Sequence, residues 1–341
     1  MDGLSGIYWD WAVALYLFVA GVSAGAFGIS AFAYFFGEEK YEKITRIGAY
    51  IAPFPLLFGI LCLIYDLERP AIFWKLLLTI QPNSIMSLGT WLLLIFSAMT
   101  FLHFYLWLPE RYDLVHLLNR LPQKWDRIPP VRWLKSSPFL KRFRQENLVR
   151  NRGLVAGWGI PVSMGVGIYT GVLLGVLNAR PFWNNPMLPF LFLLSAMKTG
   201  TAAICFVGCV LSGPGKIPKE EMETNKFMIH TIDFTLMVFS IIAVFLFVLG
   251  LYMSPRSSVE AVHLIMGGVF TLPFWVIAVG LGILVPMALE TYELIPHFIK
   301  RVSLREHKPW ISGVTASLVL LGGFILRLVI VYAGQLAKVV A

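Results

Sequence analysis

Residues 65–91 read YDLERPAIFWKLLLTIQPNSIMSLGTW, and they set how the rest of the chain must be built. Asp66, Glu68 and Arg69 close an apolar run, and Pro70 blocks a straight continuation of its helix. Ile72, Phe73, Trp74, Leu76, Leu77 and Leu78 then make about two apolar turns around Lys75. That run is too short to cross a bilayer, but it suits a helix in the headgroup plane with Trp74 as its anchor. Pro82, Asn83 and Ser84 restart the chain into the next apolar run. The stretch is therefore expected to be a shelf at one membrane face, where an amphiphile enters sideways and a soluble partner sits. An ordinary interfacial linker has the same composition, so both readings stay open.

Outward from the shelf, apolar runs recur along all 341 residues. The chain is 57% hydrophobic and 14% charged, with a mean hydropathy of +0.73. A soluble domain of this length carries nearer a quarter charged residues. The fold class is thus an all-α polytopic membrane protein. Eight spans are expected, at 11–36, 47–65, 84–108, 154–177, 187–211, 227–252, 260–287 and 310–334.

Eight spans put both termini and the 66–83, 178–186 and 253–259 connectors on one side. That side holds Arg69, Lys75, Arg180, Arg256 and Lys338, five cations, against 21 in the opposite loops, eleven of them in 109–153. The positive-inside rule places the basic loops in the cytoplasm, both termini outside, and the shelf on the outer face. The location expected is a bacterial inner membrane. The net charge of +9 then belongs to loops facing anionic lipid and does not indicate nucleic-acid binding. Asp2 and Asp10 precede span one and Lys40, Lys43 and Arg46 follow it, which suits an uncleaved anchor. Cys62, Cys205 and Cys209 lie within spans and read as small core residues, not metal ligands.

Span one carries Gly21, Ser23, Gly25 and Gly28 at a spacing that lets another helix or a flat ring approach the backbone. At its outer edge Tyr8, Trp9 and Trp11 form an aromatic belt around Asp10. GVSAGA in span one resembles KTGTAA in span five, and MSLGTW resembles MGGVFTLPFW. Tyr169 and Arg327 fall at similar depths in spans four and eight. These echoes predict two four-helix bundles of equal topology, 1–178 and 179–341.

Lys198, Asp233 and Arg327 are charges that hydropathy does not explain, and a charge inside a span is functional by default. Counting helical rise, they lie roughly 20, 9 and 25 Å from the cytoplasmic face. That spread excludes one tight ion pair and suggests rungs of a watered proton path from His230 towards Tyr169 and Asp66. Of six histidines only His103, His230 and His263 fall in or near spans, so at most one bis-His haem is open and a two-haem cytochrome is not. No CxxCH, Fe–S cysteine run or nucleotide motif occurs. Haem and Fe–S clusters are not expected in this chain.

The DLERP connector with its following W, P and MS.GTW, the YTG at 169–171, and the GG..LR.vivyaGQ ending at 322–335 resemble the NrfD/PsrC family. These are quinone-interacting membrane subunits of polysulfide-reductase-like complexes, and the likeness covers essentially the whole chain. It implies a quinone (menaquinone or ubiquinone) pocket at the outer face, next to a ferredoxin-like Fe–S subunit that serves a molybdopterin or multihaem catalytic subunit. Carried over to matching positions, it puts the headgroup among Trp9, Asp10, Tyr169 and Thr170, with Asp66 close by. The chemistry is compatible: a quinol releases two protons with two electrons, so its site needs hydrogen-bond partners and a carboxylate acceptor. Asp66, Tyr169 and Asp10 are the expected catalytic groups, and His230, Asp233, Lys198 and Arg327 the proton path. A secondary transporter or a plain scaffold anchor are the rival readings. The first would more often break its helices at mid-depth, and the second would not need the buried charges.

Overall fold

The computed structural model describes residues 9–37, 39–67, 70–109, 150–177, 179–211, 219–254, 256–300 and 309–337. The described part is helical, with no strand, and eight helices are long and apolar enough to cross a membrane. They are Trp11–Gly37, Glu42–Tyr65, Ile85–Trp107, Arg152–Gly175, Leu188–Val210, Phe227–Tyr252, Leu272–Tyr292 and Trp310–Leu336, called spans one to eight below. The protein is an integral membrane protein. Glu68, Arg69 and most of the basic 109–153 loop lie outside the described residues.

Six of the spans match the expected ranges to within two residues. Span two begins five residues early, because Glu42 and Arg46 pair one turn apart and extend the helix at its N-terminal end. The larger correction is span seven, expected from 260 but starting at Leu272. Residues Arg256–Val262 form a short separate helix, and the chain turns at Gly267, whose φ of +128° suits glycine, before Pro273 opens the span. An apolar hairpin at the membrane surface and the start of a span have the same hydropathy, which is why sequence alone does not separate them. The shift carries the C-terminal end of the span past Glu290.

Span one packs against spans two, four, five and eight, and span five against one, two, four, six and eight. Their apolar windows are 83% and 72% buried, against 22–56% for the other six, so these two form the centre while the rest turn a face to lipid. Apolar side chains gain little by leaving lipid for one another, so close packing of small residues must hold the centre together. A Cβ on Gly25 would stand 3.0 Å from the Gly200 Cα and overlap the Ala196 carbonyl. The GVSAGA and KTGTAA runs therefore meet face to face.

Two irregularities shape the interior. Span two breaks at Ala52, ahead of Pro53 and Pro55, and the Ser23 hydroxyl donates to the Ala52 carbonyl at 2.6 Å. Span seven is wound as a π-helix over Leu272–Leu284, and its Gly282 carbonyl accepts a hydrogen bond from Lys198 Nζ at 3.2 Å.

Between spans two and three, residues Pro70–Ile72 form one 3₁₀ turn and Trp74–Leu78 a five-residue helix, none of it buried in the protein. Ser84 caps span three, and Ser87 ties the turn by donating to the Thr79 carbonyl at 3.1 Å. The connector between spans four and five is different: it tucks Phe182 and Trp183 inside, and Trp183 Nε1 donates to the Ile330 carbonyl at 2.7 Å.

Candidate functional site

Tyr169 stands in span four with its ring laid across Gly89 of span three, occupying the place a β-carbon would take. The glycine of MSLGTW is therefore the floor on which the phenol rests. Tyr16 of span one, 2% exposed, lies within electrostatic reach of Tyr169 and packs beside Gly59 of span two. Among the described residues neither phenol hydroxyl has a hydrogen-bond partner. Two neighbouring hydroxyls thus remain available to a ligand between spans one to four. Tyr16 is not distinguished in the sequence, where it is one more aromatic in an apolar run.

Asp66 directly follows the last turn of span two, with its backbone N–H bonded to the Cys62 carbonyl. Asp66 is exposed, yet the partial desolvation of its carboxyl, and secondly the charge of Asp10, push it above the usual carboxylate range. Asp10 itself is exposed and starts span one: its backbone carbonyl accepts from Val13, and its Oδ1 accepts from the Trp11 N–H at 2.8 Å. Asp10 and Asp66 are thus within electrostatic reach of each other at neighbouring ends of spans one and two, and Tyr16 and Tyr169 are within reach of each other in spans one and four.

The other two expected headgroup contacts stand apart. Thr170 is fully buried, and its hydroxyl donates to the Gly167 carbonyl at 2.9 Å in its own helix. As the next residue it points about 100° away from Tyr169 around the helix. Trp9 stacks on Trp183 with ring centroids 5.3 Å apart, and its backbone is held both ways by the Gln335 amide, at 2.7 and 3.0 Å. Arg180 donates to the Gln335 carbonyl. Trp9 is part of a clasp joining the first span to the last.

The buried charges form a second cluster. His230 Nδ1 lies 3.4 Å from Glu290 Oε1, and Glu290 lies within electrostatic reach of Asp233. Lys198 is 2% exposed, within electrostatic reach of both Asp233 and Arg327. Arg327, fully buried, donates from Nη1 to Ser195 Oγ at 2.8 Å and sits near the rings of Phe192 and Phe18. A Cβ on Gly21 would stand 3.2 Å from its guanidinium carbon and overlap Nη2. Its Nε and Nη2 have no hydrogen-bond partner among the described residues. The four residues expected to line a path are brought into one sequence of neighbours, with Glu290 added between His230 and Asp233. Glu290 is not conspicuous in the sequence because the expected start of span seven puts it at a boundary, where a carboxylate needs no explanation. No hydrogen bond or ion pair among the described residues carries the line on from Arg327 to Tyr169.

His103 lies elsewhere. Ser30 Oγ donates to the Thr45 carbonyl at 2.6 Å and meets His103 Nε2 at 2.9 Å, so the proton in that contact comes from the imidazole. His103 stands on span three against Ser30 of span one, and His230 on span six against Glu290 of span seven. Among the described residues no group of three or more His, Cys, Asp and Glu side chains could hold a metal ion.

The sequence matches the family described as Polysulphide reductase, NrfD over residues 4–339. It is 31% identical to a polysulfide reductase chain of Wolinella succinogenes over 335 residues, covering 96% of this sequence and 95% of that one. It is 30% identical to Protein NrfD of Escherichia coli over 342 residues, 97% and 96% of the two proteins. To a selenate reductase subunit of Mesobacillus selenatarsenatis it is 28% identical over 294 residues, 83% of this sequence and 66% of that one.

Proposed function

This chain belongs to the polysulphide reductase NrfD family, and from that premise we propose that it is the membrane subunit of a respiratory oxidoreductase complex, working on quinol. The observation that carries the proposal is the pair of phenols, Tyr169 over Gly89 and Tyr16 within electrostatic reach of it, in the spans whose ends carry Asp10 and Asp66. Menaquinol or ubiquinol supplies two electrons and two protons when bound there. Tyr169 and Tyr16 offer hydroxyls to its ring oxygens, Asp66 accepts a released proton, and Asp10 raises the affinity of Asp66 for it. Gly89 leaves room for the Tyr169 ring and so orients its hydroxyl.

Electrons leave for an extrinsic ferredoxin-like Fe–S subunit, seated on the outer shelf and serving a molybdopterin or multihaem subunit. The distribution of 21 basic residues against five supports a bacterial inner membrane with both termini outside. Span one meets two and four as span five meets six and eight, and three meets four as seven meets eight. That recurrence supports two four-helix bundles, 1–178 and 179–341. His230, Asp233, Lys198 and Arg327 are proposed to carry protons inwards from the cytoplasmic face.

Substituting Asp66 and Tyr169 with Ala in the purified complex tests the pocket. Quinol oxidation should collapse while the subunits stay assembled; undiminished turnover refutes the assignment. Proton uptake in liposomes, wild type against Asp233→Asn, tests the path, and equal uptake removes it.

A further inference from the structure

A cavity of about 400 Å³ with apolar walls opens beside spans six and seven. Span six lines it from Ile241 to Tyr252 with residues three and four apart, the spacing that keeps them on one helix face. Val244 and Val248 of that face and Val279 of span seven are buried and make the floor. Phe245, Tyr252 and Met266, the last from the hairpin before span seven, are exposed and make the rim. Trp275 Nε1 donates to the Ile265 carbonyl at 3.0 Å, which fixes that wall against the hairpin.

The dimensions of the cavity select what can fill it. Ile241 stands near the middle of span six, and Tyr252 ends it. The rise between them is roughly 16 Å, and half of a bilayer's hydrocarbon core is about 15 Å. The cavity therefore runs the depth of one leaflet, from mid-membrane to the surface on the hairpin side. A tyrosine at that end suits the interface, with its ring among chains and its hydroxyl among headgroups. A helix from a partner would need roughly 1,200 Å³ over the same length, about three times the volume present. A quinone tail seated there would leave its two ring oxygens beside Tyr252 alone, because the Trp275 N–H is already spent on Ile265. A single hydrocarbon chain with a headgroup that needs no pocket fits on both counts.

We propose that this cavity holds one acyl chain of a membrane phospholipid, seated between span six, span seven and the hairpin. The site is independent of the quinol pocket and the proton path proposed above. Lipid chains are as apolar as its floor, so a chain moving in from the bilayer gains nothing by leaving water. Contact is what retains it: three elements touch the chain, where boundary lipid meets a helix on one side. Left empty, the walls would lack partner atoms and forfeit that dispersion energy. The chain fills the space between Met266 of the hairpin and Val248 of span six.

Photolabelling of the purified complex tests the site. The complex is placed in phosphatidylethanolamine vesicles containing a trace of the same lipid with a diazirine on one acyl chain. Labelled residues are then mapped by mass spectrometry. The expected result is a several-fold higher yield at Val248 and Val279 than at Phe54 and Leu61, which are exposed on span two. Val248→Phe, which fills the cavity, should lower the yield at Val279 several-fold and leave span two unchanged. Should that variant not assemble, Phe245→Ala, which removes an exposed part of the rim, should lower it likewise. Equal yields at the cavity and on span two make it ordinary boundary surface and overturn the proposal, as does a yield at Val279 that ignores the variant. A quinone carrying the diazirine on its tail that displaces the phospholipid label, or cross-linking from the cavity into another subunit, overturns the assigned occupant.

Discussion

Gly25 and Gly200 bring the backbones of spans one and five into direct contact, closer than any residue with a side chain would allow. Backbone cannot move aside as the tip of a side chain can. Gly200→Ala should therefore lower the stability of the purified complex by roughly 1–3 kcal/mol, the usual cost of overpacking. Gly313→Ala, with open space around its position, is the control and should change little. Thermal unfolding of the two variants side by side checks this; equal midpoints would show that the crossing is not tight.

The Tyr169 ring occupies the volume above Gly89, so Gly89→Ala must displace it. A misplacement of about 1 Å at a reacting group costs about 10²-fold in rate. The variant should assemble normally and lose quinol oxidation to about that extent, resembling Tyr169→Phe. Wild-type turnover in Gly89→Ala would mean that the phenol is not positioned from below.

Asp66 must be ionised to accept a proton, so quinol oxidation should rise with pH through its titration. Partial desolvation and Asp10 both push that titration above the ordinary carboxylate range. Asp10→Asn removes the second cause, and the acid limb of the pH–rate profile should move to lower pH. An unmoved limb disproves the coupling. The sign for folding is the reverse of an ion-paired acid: a carboxyl raised in the folded state favours folding when protonated. Its contribution to stability is therefore full below the unfolded-state pKa and lost as pH climbs through the raised one.

Arg327 is buried with two donor atoms, Nε and Nη2, lacking partners among the described residues, so its charge is expected to serve function at the expense of stability. Replacing a whole buried ion pair with apolar side chains of similar volume is often neutral, or stabilising by about 1–4 kcal/mol, and among the described residues Arg327 has no bonded carboxylate that its removal would leave unpaired. Arg327→Met should keep or raise the melting temperature while proton uptake falls. A strongly destabilised Arg327→Met would show instead that the guanidinium holds spans five and eight together through Ser195.

Much of the fold was legible because length and hydropathy govern membrane helices so directly. Where reading failed, the cause was local. Residues 256–271 are apolar enough to be span, and only the turn at Gly267 and the proline at 273 separate them from span seven. That slip of about three turns also hid Glu290. Tyr16 and Trp183 are invisible for another reason: an aromatic in an apolar run has no signature until a neighbour's hydroxyl or a distant carbonyl is seen beside it. Asp10 and Asp66 were legible as charges at span ends. Trp9 and Thr170 were grouped with Tyr169 by likeness, and helix geometry and the clasp separate them.

The clasp fixes an order of events. Trp9 and Gln335 are 326 positions apart, and each holds the other's end of the protein. Span one leaves the ribosome first but cannot take its final place until the last helix has been made and inserted. Until then the outer end of the phenol site, which begins at Asp10, has no fixed neighbour on one side. A protein truncated before Gln335 should therefore enter the membrane and still fail to mature, with its earliest segment the part most open to protease.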